Sequence, residues 1–178
     1  MKKLLVIVDM QNDFIDGALG SKEAEKIVPK VVNKISNWDK EDDIIFTLDT
    51  HYDNYLKTKE GSKLPVEHCI FGTNGWMINS EIAESASGRA NVFQCMKPTF
   101  GSTKLSQYLL EKQYDYIEFV GLCTDICVIS NVMLAKANLP EATIIVDASC
   151  CAGVTPESHN NALSAMKCCH IDIINEQE

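Results

Sequence analysis

The sequence predicts an α/β fold, a three-layer αβα arrangement around a mainly parallel sheet. Three observations point there. Strand-like runs alternate with helix-like ones along the chain. Leu4–Asp9 is almost continuously apolar, as a strand is when both of its faces are covered. Tyr116–Val120 reads as a strand that Gly121 breaks, followed by an apolar helix carrying Cys127. No internal repeat, low-complexity tract or Pro/Gly/Ser-rich linker interrupts the pattern, so residues 1–178 are expected to form a single domain.

In order, Leu4–Asp9 is the first strand. Lys22–Trp38 reads as a helix with Ile27, Val31, Ile35 and Trp38 on one stripe, and Ile44–Asp49 is the second strand. Thr50–Gly75 is polar and without periodicity, a long loop of the kind that is usually functional in a compact domain. Met77–Ala86 suggests a short helix, Asn91–Lys97 the third strand and Ser102–Gln113 a further helix. After the strand ending at Val120, Thr124 is placed to cap a helix whose first turn holds Asp125 and Cys127. Its apolar face is Ile126, Ile129, Met133 and Ala137, widened by Val128, Val132 and Ala135. Ala142–Asp147 is the fifth strand. The last helix starts at Thr155 with Pro156 in its first position, and a short strand follows over His170–Ile174. His159, in that helix, reads as a surface residue.

Composition excludes several classes. The chain has 178 residues, enough for a substantial core, with 46% hydrophobic and 23% charged residues, as in ordinary globular proteins. A formal net charge of −9 and scattered lysines disfavour nucleic-acid binding. No apolar run approaches the ~18–20 residues of a membrane span, and the short run after Lys2 and Lys3 ends at Asp9, which argues against a signal peptide. The eight cysteines are therefore expected reduced, in a cytoplasmic protein. Without CxxC spacing, neither a cysteine zinc site nor a thioredoxin-like role is indicated, and all but Cys127 read as packing residues.

The strand ends carry the chemistry. Asp9 closes the first strand, Asp49 the second, Lys97 the third and Asp147 the fifth, while Cys127 lies just past the fourth. Ligands bind at the carboxyl ends of strands in such sheets, so one rim holds carboxylates, an amine and a thiol. In the first turn of a helix, free N–H groups and the helix dipole favour Cys127 as thiolate. That combination suits a cysteine nucleophile.

These segments also resemble a known family. Val8-Asp9-Met10-Gln11-Asn12-Asp13-Phe14, Lys97-Pro98 and Gly121-Leu122-Cys123-Thr124-Asp125-Ile126-Cys127-Val128 are similar to the isochorismatase-like cysteine hydrolases, nearest to the nicotinamidase branch, and the likeness runs from Leu4 to about Met166. The resemblance implies a six-stranded parallel sheet and an Asp9–Lys97–Cys127 triad. It also implies an oxyanion hole from the backbone N–H groups of Cys123 and Cys127, a cis Leu122–Cys123 peptide and homo-oligomers. Asp49-Thr50-His51, with Glu60 and His68 downstream, looks like the branch's metal site, and a mixed carboxylate and imidazole set suits a divalent ion, zinc, manganese or iron.

The sequence departs from that branch in one region. Its Trp-Pro-x-His-Cys run, whose Trp stacks on the substrate ring, is matched here by the longer Leu64-Pro65-Val66-Glu67-His68-Cys69, and Glu60 stands in for a second His. Phe14 and Phe100, beside triad segments, are the candidates for contact with a substrate ring, ahead of Trp76 and Tyr55. The expected activity is metal-assisted hydrolysis of nicotinamide, a small-molecule amide, to nicotinate and ammonia through a thioester. The alternative is a related amidase or carbamoyl-amide hydrolase acting on another small amide. A vinyl-ether hydrolase would require neither the metal set nor the cysteine.

Overall fold

In the computed structural model, which describes residues 1–176, one sheet of six parallel strands runs through the molecule. The strands are β1 (Lys3–Val8), β2 (Asp43–Asp49), β3 (Val92–Lys97), β4 (Tyr116–Leu122), β5 (Thr143–Ala152) and β6 (Asp172–Ile174). Their order is β3-β2-β1-β4-β5-β6, so the chain works outward from β1 to one edge and then restarts on its other side. The reversal lies between β1 and β4, where open α/β sheets leave a crevice at the strand ends.

Alternate residues of β1 serve the two layers. Leu4, Val6 and Val8 join Leu105 and Leu109 of α4 (Thr103–Lys112), Val132 and Ala135 of α5 (Ile129–Asn138), and Leu163 and Met166 of α6 (Pro156–Cys168). Leu5 and Ile7 face the opposite layer, made by α1 (Asn12–Ile15), α2 (Lys22–Asn37) and α3 (Ser80–Ser85). These β1 side chains are fully buried, each contributing roughly 1.5–3 kcal/mol. The helices start where their sequences provide caps. The Ser21 and Ser102 hydroxyls accept from Ala24 N and Leu105 N, and Thr155 and Ser158 form a reciprocal capping box.

Several boundaries differ from the sequence reading. β5 continues to Ala152, so Asp147 lies within the strand, away from the rim. It pairs with Lys34 Nζ at 2.8 Å, which also reaches Glu118 at 2.5 Å, because a buried carboxylate needs a counter-charge. The helix expected over Met77–Ala86 is confined to Ser80–Ser85, since Asn79 caps it by accepting from Glu81 N and Ile82 N. The long loop gains a 3-10 turn at Tyr55–Lys57 and a parallel bridge between His51 and Ile70. The residues around Cys127, Thr124–Val128, form a π-helical turn ahead of α5, and Thr124 does not cap it. At the end of α6, Cys168 and Cys169 are exposed, whereas Cys69, Cys127, Cys150 and Cys151 are buried.

Candidate active site

The rim above the β1–β4 reversal brings three expected side chains together. Asp9 follows β1 directly, Lys97 ends β3, and Cys127 sits in the π-helical turn after β4. Lys97 Nζ lies 2.6 Å from Asp9 Oδ2 and donates to Cys127 Sγ at 3.4 Å, to the Thr99 carbonyl at 3.1 Å and to Asp49 Oδ1 at 3.4 Å. Thr47 Oγ1 donates to Asp9 Oδ1 at 2.6 Å. Buried Asp9 Oδ2 has the ammonium charge beside it but no well-directed donor, which leaves that oxygen open to a proton. Asp9 also has φ +47°, a conformation costly for a side chain other than glycine and characteristic of functional positions.

Electrostatics adjusts the sequence expectation for the thiol. Burial, then the neighbouring Asp9 carboxylate, push the Cys127 thiol well above its ordinary value, with Lys97 opposing. Burial thus works against the ionisation that the helical turn favours. Burial also raises the Asp9 carboxyl, against Lys97, and this makes it a better base. Burial works to lower the Lys97 ammonium, but Asp9, Cys127 and Asp49 hold it above its usual range, so it stays charged.

Gly121 makes the close approach of these elements possible. Its φ is +117°, and a Cβ there would lie 2.2 Å from the Val8 carbonyl oxygen. The Leu122–Cys123 peptide that follows is cis, as the resemblance implies. Thr124 is fully buried with its Oγ1 2.7 Å from His159 Nδ1, so His159 is half-buried against this turn and is not a surface residue. Asp125 Oδ1 accepts from Val154 N, tying the turn to the loop after β5.

Beside the triad stands the second group. Asp49 Oδ2 is 3.0 Å from His51 Nε2 and 3.5 Å from His68 Nε2, and Glu60 Oε1 is 3.5 and 3.7 Å from the same two nitrogens. All four ligand atoms lie within 4.8 Å of one another, near enough to gather around one ion with small side-chain shifts. His68 Nδ1 donates to the Val66 carbonyl at 2.8 Å, which leaves Nε2 its lone pair for a metal. Burial and the charge of Asp49 raise the Glu60 carboxyl. The donor set fits a divalent ion.

Three residues not anticipated from sequence build the support. Gln11 accepts from Asp49 N through Oε1 (2.7 Å) and donates to the Asp49 and Trp76 carbonyls. Asp13 Oδ2 accepts from Cys69 N at 2.7 Å, next to His68, and Thr47 orients Asp9. Polar residues in otherwise apolar or motif segments were the available signal. Tyr55 is fully buried with its ring 4.6 Å from that of His51 and 5.0 Å from that of His68, and its hydroxyl donates to the Leu64 carbonyl. It backs the cluster and does not line the cavity. Trp76 donates from Nε1 to Thr50 and packs on Phe71.

Both groups open into one cavity of about 350 Å³, the lower end for small-molecule sites. Cys127, Cys123, Asp49, Glu60 and His68 contribute to its lining, and Phe14, Leu64 and Phe100 to its apolar walls. Phe14 is buried 5.6 Å from the His68 ring, whereas Phe100 is 43% exposed.

Residues 3–178 match the family described as the isochorismatase domain. A nicotinamidase/pyrazinamidase structure from Bacillus subtilis superposes with a TM-score of 0.87 at 27% identity, covering 98% of this chain and 100% of that one. A pyrazinamidase of Pyrococcus horikoshii, solved in complex with zinc, gives 0.82 at 26% identity over 99% and 100% of the two chains. The Mycobacterium tuberculosis nicotinamidase/pyrazinamidase is 24% identical over 186 residues, 97% of this chain and 98% of that protein.

Proposed function

The chain belongs to the isochorismatase domain family, and on that premise we propose that it is a metal-assisted cysteine amidohydrolase converting nicotinamide to nicotinate and ammonia. One observation carries the reading. A single buried ammonium, Lys97 Nζ, lies 2.6 Å from Asp9 and 3.4 Å from Cys127 Sγ at a cavity that the Asp49, Glu60 and His68 side chains also line. A hydrolase of small amides is further supported by the names of similar proteins.

Cys127 Sγ bonds to the amide carbon while its proton passes to Asp9 Oδ2, with Lys97 holding both groups in register. The oxygen that becomes negative is assigned to the backbone N–H groups of Cys123 and Cys127. As the C–N bond breaks, Asp9 returns the proton to the departing nitrogen, and ammonia leaves. Water then attacks the thioester, giving one proton to Asp9; as the C–S bond breaks Asp9 passes it to the departing sulfur, regenerating the thiol, and the acid loses its own proton to solvent and leaves as nicotinate. Asp49, His51, Glu60 and His68 would hold the divalent ion (zinc, manganese or iron), whose chemistry here is Lewis-acid capture of a ring nitrogen that orients the amide. Phe14 and Phe100 bound the ring.

A second reading, a related amidase or carbamoyl-amide hydrolase of another small amide, is favoured by one feature: the cavity wall carries Leu64, an aliphatic side chain. We also assign residues 1–178 to a single domain and the protein to the cytoplasm, readings that the continuous sheet and eight free cysteines support. Among the described residues no helix is long and apolar enough to cross a membrane. Homo-oligomerisation, which the resemblance implies, is assigned here with edge strand β3 as the surface available for it.

Ammonia release from nicotinamide by metal-loaded protein, with Cys127→Ala as blank, tests the assignment. Turnover confined to the unmodified protein is expected. Metal-loaded protein that releases no ammonia from nicotinamide would remove that substrate and leave the second reading.

A further inference from the structure

Asn131 lies one turn beyond Cys127, is 1% exposed, and takes part in no step above. Its carboxamide is spent on two separate segments. Nδ2 donates to the Cys127 carbonyl at 2.8 Å and to the Phe100 carbonyl at 3.1 Å, while Oδ1 accepts from Ser102 N at 2.9 Å. The first partner belongs to the turn that holds the nucleophile. The other two belong to the loop that follows Lys97, where the Thr99 carbonyl accepts from Lys97 Nζ at 3.1 Å and Phe100 lines the cavity. Asparagine is a poor residue for a helix interior, and a buried amide is costly unless its bonds are made. Here they are made between the two pieces of backbone that present the thiol and the ammonium.

We propose that Asn131 is a positioning residue, fixing the nucleophile's turn against the loop that follows Lys97, whose Thr99 carbonyl holds the ammonium, and so setting the Cys127–Lys97 separation and the place of the Phe100 wall. This rests on the amidase reading for its kinetic consequences, but the geometry it predicts is also readable without a substrate.

Two variants cut the link in different ways. Asn131→Leu keeps the bulk and removes all three bonds. Asn131→Thr keeps a bond within its own helix, since a threonine hydroxyl there donates to the carbonyl four residues back, that of Cys127, but it gives up both bonds to the Phe100–Ser102 loop. The bridge is lost in both, so with nicotinamide both are expected to lose about 10²-fold in kcat, the scale of an ångström's misplacement, and to show a raised KM. Iodoacetamide alkylation, read at Cys127 by peptide mass spectrometry, should slow in both. If the parent itself fails to turn over nicotinamide, the amidase reading fails, and the alkylation contrast still decides for or against the positioning role. Equal alkylation rates in parent and both variants, with circular dichroism and metal content unchanged, would overturn the proposal. So would parental kcat and KM in Asn131→Thr, since the bond inside the helix would then be enough. Should Asn131→Leu not fold, Asn131→Thr alone decides: slow alkylation with raised KM supports the link, and parental alkylation or an unchanged KM defeats it.

Discussion

The triad and the acidic–imidazole cluster share one cavity but are held by different means. Asp9, Lys97 and Cys127 stand at or beyond the ends of β1, β3 and β4; the ladder registers of the sheet place the first two, and Asn131 ties the turn of Cys127 to the loop after Lys97. In the cluster only Asp49 ends a strand. Glu60 and His68 come from a long loop that depends on local bonds, chiefly Asp13 accepting from Cys69 N and Tyr55 donating to the Leu64 carbonyl. A group on a sheet rim inherits the stability of the whole core, whereas one on a loop is as firm as the few bonds that tie the loop down. On the proposed reading, the bond-making groups, which tolerate little displacement, sit on the rim, and most of the residues that would hold the orienting ion sit on the loop.

The comparison can be broken at either end. The largest effect is expected for Cys127→Ala, a loss of at least about 10⁴-fold in ammonia release with bound metal undiminished. Metal lost together with activity would show that the two groups are one unit. His68→Ala should empty the cluster and cost at least about 10²-fold in activity while Cys127 remains alkylated at the parental rate. Asp13→Ala sharpens the contrast, because it removes the bond to Cys69 N and, apart from that, one longer bond from Ala18 N outside the cluster. Competition with a chelator should reveal a metal affinity about 10–100-fold weaker, with thiol reactivity retained. Phe100→Ala should raise KM by about fivefold, the worth of an aromatic wall contact, and leave kcat in place.

The smallest effect on activity is expected far from the rim. Lys34→Met leaves Glu118 and Asp147 buried without their counter-charge, and should cost about 3–5 kcal/mol of stability at neutral pH in denaturant titrations. The parental ion cluster carries its own pH signature. Burial works to raise the Asp147 carboxyl, but hydrogen bonds from Lys34 and Ser149 and the charge of Lys34 hold it below the ordinary carboxylate range. A lowered value in the folded state means stability that is complete above the unfolded value of about 4 and is lost as pH falls through the folded value. The gap between parent and Lys34→Met should therefore narrow in acid. Activity per folded molecule should not change.

Much of this layout was legible in the sequence, for a physical reason. Apolar runs such as Leu4–Val8 announce buried strands, and charged residues at their ends have to face the rim, so Asp9, Asp49 and Lys97 could be placed before any coordinates. Asp147 misled because β5 carries on through a buried carboxylate whose partner, Lys34, lies 113 residues earlier on α2. No local pattern reports such a pairing. Thr124 misled in a similar way: its hydroxyl faces His159 and caps nothing. Gln11, Asp13 and Asn131 stand out in the sequence only as polar residues in apolar or motif segments; what they support was not legible, since most of their partners are backbone groups of other segments, and backbone groups have no signature in a sequence.

The uneven accessibility of the thiols sets a condition on any sizing experiment. Cys168 and Cys169, adjacent in sequence at the end of α6, are both exposed to solvent. On storage in air they can join two molecules through sulfur, and such a covalent pair would migrate as a dimer whether or not the β3 edges ever meet. Ultracentrifugation with and without a reductant separates the two kinds of association, and Cys168→Ser/Cys169→Ser protein removes the artefact at its source. The same pair offers a labelling handle, because a maleimide reaches it while the buried nucleophile reacts slowly.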